Sequence, residues 1–155
     1  MAKDNKLDFE GTSLPFSNEA EQSVLGAILI DPPSINMVLD KLRPEHFYIP
    51  QNRCIYEVLY TMGAANQTID FITVLEKIKA SNLFDSAGGK AYLTNIAQSV
   101  PSSANITTYA DIVRERFYTR SLIISSRDII EMASSGATDA NMLLETAEQR
   151  IYEIR

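Results

Sequence analysis

"NITTYADIVRERFYTRSLIISSRDIIEMASSG", Asn105 to Gly136, holds no proline and no internal glycine, and its apolar residues recur at three- and four-residue spacing. It predicts one long helix, and that helix sets the class of the fold. Gly136 ends it, and Thr138 or Asp139 caps the next segment, "ANMLLETAEQRIYEIR". There Ala140, Leu143, Leu144, Ala147, Ile151 and Ile154 fall on a single stripe. Two helices joined by so short a loop are antiparallel neighbours, so 104–155 reads as a helical hairpin.

Plotted at about 100° per residue, the long helix changes face along its length. Ile106, Tyr109, Val113 and Phe117 gather on one side. Leu122, Ile123, Ile129, Ile130 and Ala133 gather on roughly the opposite side, with Ile124 outside both groups. The first half is therefore expected to pack on the residues before it, and the second on the last helix and on another chain. Two helices cannot cover a broad apolar sector alone, so Leu122, Ile130, Ala133, Leu144 and Ile151 are the self-association candidates.

Upstream, 15–103 reads as a head of short helices, preceded by a polar tail over 1–14. In "SNEAEQSVLGAILID", Ser17 or Asn18 caps a helix, Glu19 and Glu21 sit in its first turn, and the apolar run Val24 to Ile30 follows. "DPPSINMVLDKL" offers Asp31 as the next cap with Pro32 at the first helical position. "RPEHFYIP" then makes a proline-bounded turn before a helix from Pro50 to Met62. Asp70 caps "FITVLEKIKAS", Gly88 and Gly89 introduce "KAYLTNIAQS", and "VPSSAN" closes the head. No alternating strand pattern appears. The predicted class is all-α: a compact multi-helix head followed by a long antiparallel helical hairpin.

Composition narrows the function. A chain of 155 residues with net charge -6 is poorly suited to wrapping phosphates, which argues against a helix-turn-helix DNA binder. The longest apolar run falls well short of the roughly 18 residues a membrane span needs, and the polar opening lacks a signal-peptide core, so a cytoplasmic location is expected. The single Cys54, beside Ile55, Val58, Leu59 and Met62, agrees with a reducing compartment and reads as a small residue near the core.

Catalytic patterns are missing as well. "SAGGKAY" superficially resembles the end of a phosphate-binding loop, but Phe84 stands where the first glycine belongs and Ala91 where a hydroxyl belongs. His46 with Cys54 falls short of a structural zinc site's four ligands, and His46 reads as a surface or turn histidine. Arg116, Arg120 and Arg127 share one side of the long helix, diluted by Glu115, Asp128 and Glu131, and read as a solvated face or the edge of a protein interface. No catalytic residue, cofactor or metal ligand is assigned.

The order "SNEAEQSVLGAILID", "LRPEHFY", "IYEVLY", "IDFITVLEKI", "AGGKAYLTNIAQSVPSSANITTYADIVRER" resembles the N-terminal domain of bacterial DnaB-type replicative helicases, over roughly Pro15 to Arg155. The resemblance implies hairpins that pair protomers and three such dimers forming a collar on a hexamer. It implies primase, through its C-terminal helicase-binding domain, as a partner, with a helicase loader as a further candidate. It also implies a RecA-like motor after a linker, holding ATP and magnesium. The apolar stripe is still in register at "RIYEIR", as expected of a region that precedes such a linker.

The same resemblance places Glu19, Tyr92, Ile123 and Ile129 at positions implicated in communication with primase. Read from the residues alone, Glu19 is a helix acid complementing the dipole. On that reading Tyr92 is a core aromatic, and the two isoleucines are hairpin packing.

Overall fold

Ser17 starts the first helix as expected: its backbone is extended, and its Oγ accepts the Ala20 N–H at 3.1 Å. The computed structural model describes residues 14–84 and 88–155, and every regular element among them is helical. The expected tail over 1–14 thus lies outside the described residues, apart from Leu14. The elements are α1 (Asn18–Ile30), 3₁₀ turns at Pro32–Met37 and Pro44–His46, α2 (Pro50–Ala64), α3 (Phe71–Ile78), α4 (Gly88–Ser99), α5 (Ile106–Ser135) and α6 (Ala140–Tyr152).

The described chain divides into two compact units, Ser17–Phe117 and Tyr118–Arg155 together with 14–16. In the first unit α1 is the central element. Val24, Leu25, Ala27 and Ile28 are fully buried, and α1 packs most extensively on α4. Gly26 is what permits that approach: a Cβ there would lie 2.6 Å from the Ile96 carbonyl oxygen and 2.7 Å from Val100 Cγ2. Tyr56 of α2 stacks on Phe47 with ring centroids 4.6 Å apart and donates its hydroxyl to the Leu42 carbonyl at 2.7 Å. Burial pushes its phenol pKa well up. Asp70 caps α3 by accepting the Thr73 N–H at 2.9 Å, and Val74, Leu75 and Ile78 turn inward. Ile106, Ala110 and Val113 of α5 complete this core.

Two expectations for the head need correction. Asp31 stands at the N-cap with Pro32 first after it, as expected, but the segment is a 3₁₀ turn and the Asp31 side chain makes no capping bond. A capping side chain needs the second or third N–H, and Pro33 has none while the Ser34 N–H bonds the Asp31 backbone carbonyl at 2.9 Å. The Asp31 carboxylate instead accepts the Ser103 hydroxyl at 2.6 Å. His46 lies in its turn but is not at the surface. Its ring is buried against Phe117, 4.7 Å between centroids, and its Nδ1 accepts the Arg43 N–H at 3.0 Å. Cys54 is half-buried against the core, as expected.

In the second unit, Gly136 takes φ +67° directly after α5, the left-handed conformation that ends a helix without a Cβ penalty. Asp139 caps α6 by accepting the Met142 N–H at 2.9 Å. Arg150 of α6 donates to Asp128 of α5 at 2.8 Å. A third correction falls here: Arg120 is not on a solvated face but buried, donating to the Pro15 carbonyl at 2.9 Å. Its always-charged guanidinium tolerates that position by spending a donor on a backbone oxygen.

Candidate functional site

Glu21 is 1 % exposed and Asn52 is 0 % exposed, and the two side chains meet inside the head. Glu21 takes up this position because it lies three, four and seven residues before Val24, Leu25 and Ile28, on the apolar face of α1. Asn52 bears the same relation to Ile55, Tyr56 and Leu59 on α2. The Glu21 carboxylate accepts the Tyr48 N–H at 2.8 Å, the Ile49 N–H at 3.2 Å and the Asn52 amide at 3.0 Å. It therefore sits at the N-terminus of α2, where Ile49 has no capping side chain and Pro50 opens the helix. Three donors and the helix dipole offset the cost of burying this charge.

Asn52 uses its whole carboxamide. One N–H goes to Glu21, the other to Asn18 Oδ1 at 2.9 Å, and its Oδ1 accepts the Tyr92 hydroxyl at 2.5 Å. Gln22 in turn donates to the Tyr92 oxygen at 3.3 Å. Tyr92 is half-buried on α4, with its ring tilted against Phe84 at 5.6 Å. Desolvation raises its pKa, the Gln22 hydrogen bond lowers it, and the Glu21 charge raises it again, for a net shift upward. Glu19 stands exposed in the first turn of α1, on the turn that this network anchors. Of the sequence candidates, Tyr92 belongs to this polar cluster, whereas Glu19 only shares the first turn of α1 with it. The cluster's two buried members, Glu21 and Asn52, escaped the sequence reading. Their signal was a polar residue at apolar helical spacing.

The other candidates lie in the second unit. Leu122, Ile130, Leu144 and Ile151 are 47 to 61 % exposed, and Ala133 is exposed too. At about 100° per residue Leu122, Ile130 and Ala133 fall within a quarter turn of α5, and Ile123 and Ile129, half-buried, border them. On α6 the predicted stripe splits. Leu143 and Ala147 are half-buried, whereas Ala140, Leu144 and Ile151 are exposed beside them; Ile154, placed on the same stripe by sequence, lies past the end of the helix at Tyr152. Among the described residues no cluster of histidine, cysteine and acidic side chains is arranged to hold a metal, and no helix is long and apolar enough to cross a membrane. Lys90 is exposed on α4, while Ser86 and Ala87 of "SAGGKAY" lie outside the described residues.

The comparisons with known proteins agree on one family. The profile described as DnaB-like helicase N terminal domain matches residues 13–115. The replicative DNA helicase DnaC of Bacillus subtilis is 36 % identical over 148 residues, 95 % of this chain and 33 % of that protein. The replicative DNA helicase DnaB of Pasteurella multocida is 35 % identical over 94 % of this chain and 31 % of its own length. The chain spans about a third of the length of these relatives. Among solved structures, the N-terminal domain of DnaB helicase from Mycobacterium tuberculosis superposes with a TM-score of 0.83 at 30 % identity, covering 92 % of this chain and all of that one. A structure of a DnaB-like replicative helicase and its interactions with primase superposes with a TM-score of 0.71 at 29 % identity, covering 90 % of this chain and 32 % of that one. With the head matched by the family profile and nearly the whole chain followed by a solved domain of the same kind, the protein belongs to the DnaB-like helicase N-terminal domain family.

Proposed function

We propose that this chain is the collar domain of a bacterial replicative DNA helicase, which pairs protomers through an α5–α6 helical hairpin, docks the C-terminal helicase-binding domain of primase, and carries out no chemistry itself. The observation that carries the reading is the exposed apolar row of Leu122, Ile130 and Ala133, with Leu144 and Ile151 exposed on the neighbouring helix. Side chains of this kind gathered on one helix face mark an interface. Three such dimers would crown a hexamer in the cytoplasm, with a helicase loader as a further partner. ATP and magnesium belong to a motor elsewhere in the whole protein, whose activity is ATP-dependent DNA unwinding. The primase arm is supported by the similar helicase that was solved with its interactions with primase. An unrelated helical adaptor, the alternative, is disfavoured by the family match.

Calorimetry with the cognate primase domain tests the docking. Ile123 borders the exposed row and is the candidate for direct contact, whereas Ile129 acts by setting hairpin geometry. Ile123→Ala removes apolar area worth on the order of 1 to 3 kcal/mol, so binding should weaken from several-fold to about a hundredfold with the thermal melt unchanged. Equal affinity for variant and wild type removes Ile123 from the surface. A wild-type chain that sediments as a monomer and binds no primase domain overturns the collar reading.

A further inference from the structure

We infer that Asn52 is a positioning residue for the docking surface of the head: its buried carboxamide holds the Tyr92 hydroxyl and the first turn of α1 in one fixed arrangement. The inference rests on the collar reading for its partner, but its geometry is independent of it. Asn52 of α2 links the other two helices of the polar cluster, bonding Asn18 and Glu21 of α1 and Tyr92 of α4, alongside the longer direct bond from Gln22 to Tyr92. Both its N–H groups and its oxygen are engaged in this one arrangement.

The members of this cluster differ in exposure. Asn52 and Glu21 form its floor. Asn18 is exposed, and Gln22 and Tyr92 are half-buried. A partner can touch the upper members and cannot touch Asn52. Without Asn52, Tyr92 keeps its ring contact with Phe84 and the weaker bond from Gln22, but loses the acceptor that fixes its hydroxyl. Asn18 likewise loses its donor. Asn52 therefore acts on a partner only through the order of residues at the surface.

The test uses the whole chain as Asn52→Ser, Tyr92→Phe and the double variant, each measured for affinity to the cognate primase domain; the Tyr92 ring signal, assigned by its loss in Tyr92→Phe, is compared between wild type and Asn52→Ser by tyrosine-selective carbon-13 labelling. Each single variant should weaken binding by roughly tenfold, and the double variant by no more than the worse single one, because both remove the same restraint. In Asn52→Ser the Tyr92 ring signal should shift and broaden. Wild-type affinity in Tyr92→Phe, or full additivity in the double variant, overturns the inference; Tyr92→Phe keeps this arm decisive even if Asn52→Ser fails to fold. If the wild-type chain itself binds no primase domain, the docking reading fails, and the ring signal alone decides the positioning: an unperturbed Tyr92 in folded Asn52→Ser refutes it.

Discussion

Glu21 and Ile49 meet at 3.2 Å, a buried carboxylate on one helix accepting from the backbone at the start of another. Through this bond and the one to Tyr48, α1 fixes the backbone that leads into α2, which has no capping side chain of its own. Glu21→Gln keeps the shape but turns an amide hydrogen toward donors or leaves one unpaired. It should cost roughly 1 to 3 kcal/mol, which lowers the melting temperature by about 2 to 4 °C per kcal/mol for a chain of this size. Thermal melts of the two proteins decide it, and an unchanged midpoint would show that the amide serves these donors as well as the carboxylate.

Gly26→Ala should destabilise in spite of alanine's higher helix propensity. The added methyl would lie 2.6 Å from the Ile96 carbonyl oxygen, a backbone atom that cannot swing aside. Forcing α1 from α4 costs roughly 1 to 3 kcal/mol, more than the gain of about 1 kcal/mol from removing a mid-helix glycine. A urea titration should show a lower midpoint at an unchanged slope.

Leu122→Asp and Ile130→Asp should leave the fold intact, since both side chains are about half exposed in the single chain. If the row pairs with a second copy, each aspartate becomes a buried, unpaired charge costing several kcal/mol, and the assembly shifts toward monomer. Sedimentation velocity reads the assembly and circular dichroism the fold. Unchanged sedimentation with unchanged dichroism removes the row from the interface.

The α3 cap should depend on pH. The Thr73 N–H and then its hydroxyl hold the Asp70 carboxyl below its ordinary value of 3.8. A carboxyl with a lowered folded-state pKa contributes stability above its unfolded pKa and loses it as pH falls through the folded value. Asp70→Asn should therefore flatten the stability profile below that ordinary value. An identical acid limb in the variant would show that the cap contributes nothing measurable.

The chain should release no phosphate from ATP above a matched blank. Phe84 and Ala91 stand where a phosphate loop needs glycine and a hydroxyl, and Phe84 is occupied against Tyr92. Release that disappears in Lys90→Ala would overturn this.

The all-helical class, the thirty-residue α5 and the caps at Ser17, Asp70 and Asp139 were legible in the sequence, because caps and apolar periodicity are properties of a few neighbouring residues. So was the face by which the first half of α5 enters the core, where Ile106 and Val113 are buried. Asp31, His46 and Arg120 were not legible in this way: what each side chain does depends on Ser103, Phe117 and Pro15, residues distant in the chain. Glu21 shows the difference most clearly. By sequence it is one of two first-turn acids, equivalent to Glu19. Two positions amount to about 200° around a helix, so packing buries one and leaves the other in water, and only the arrival of α2 supplies the donors from which the buried side chain accepts.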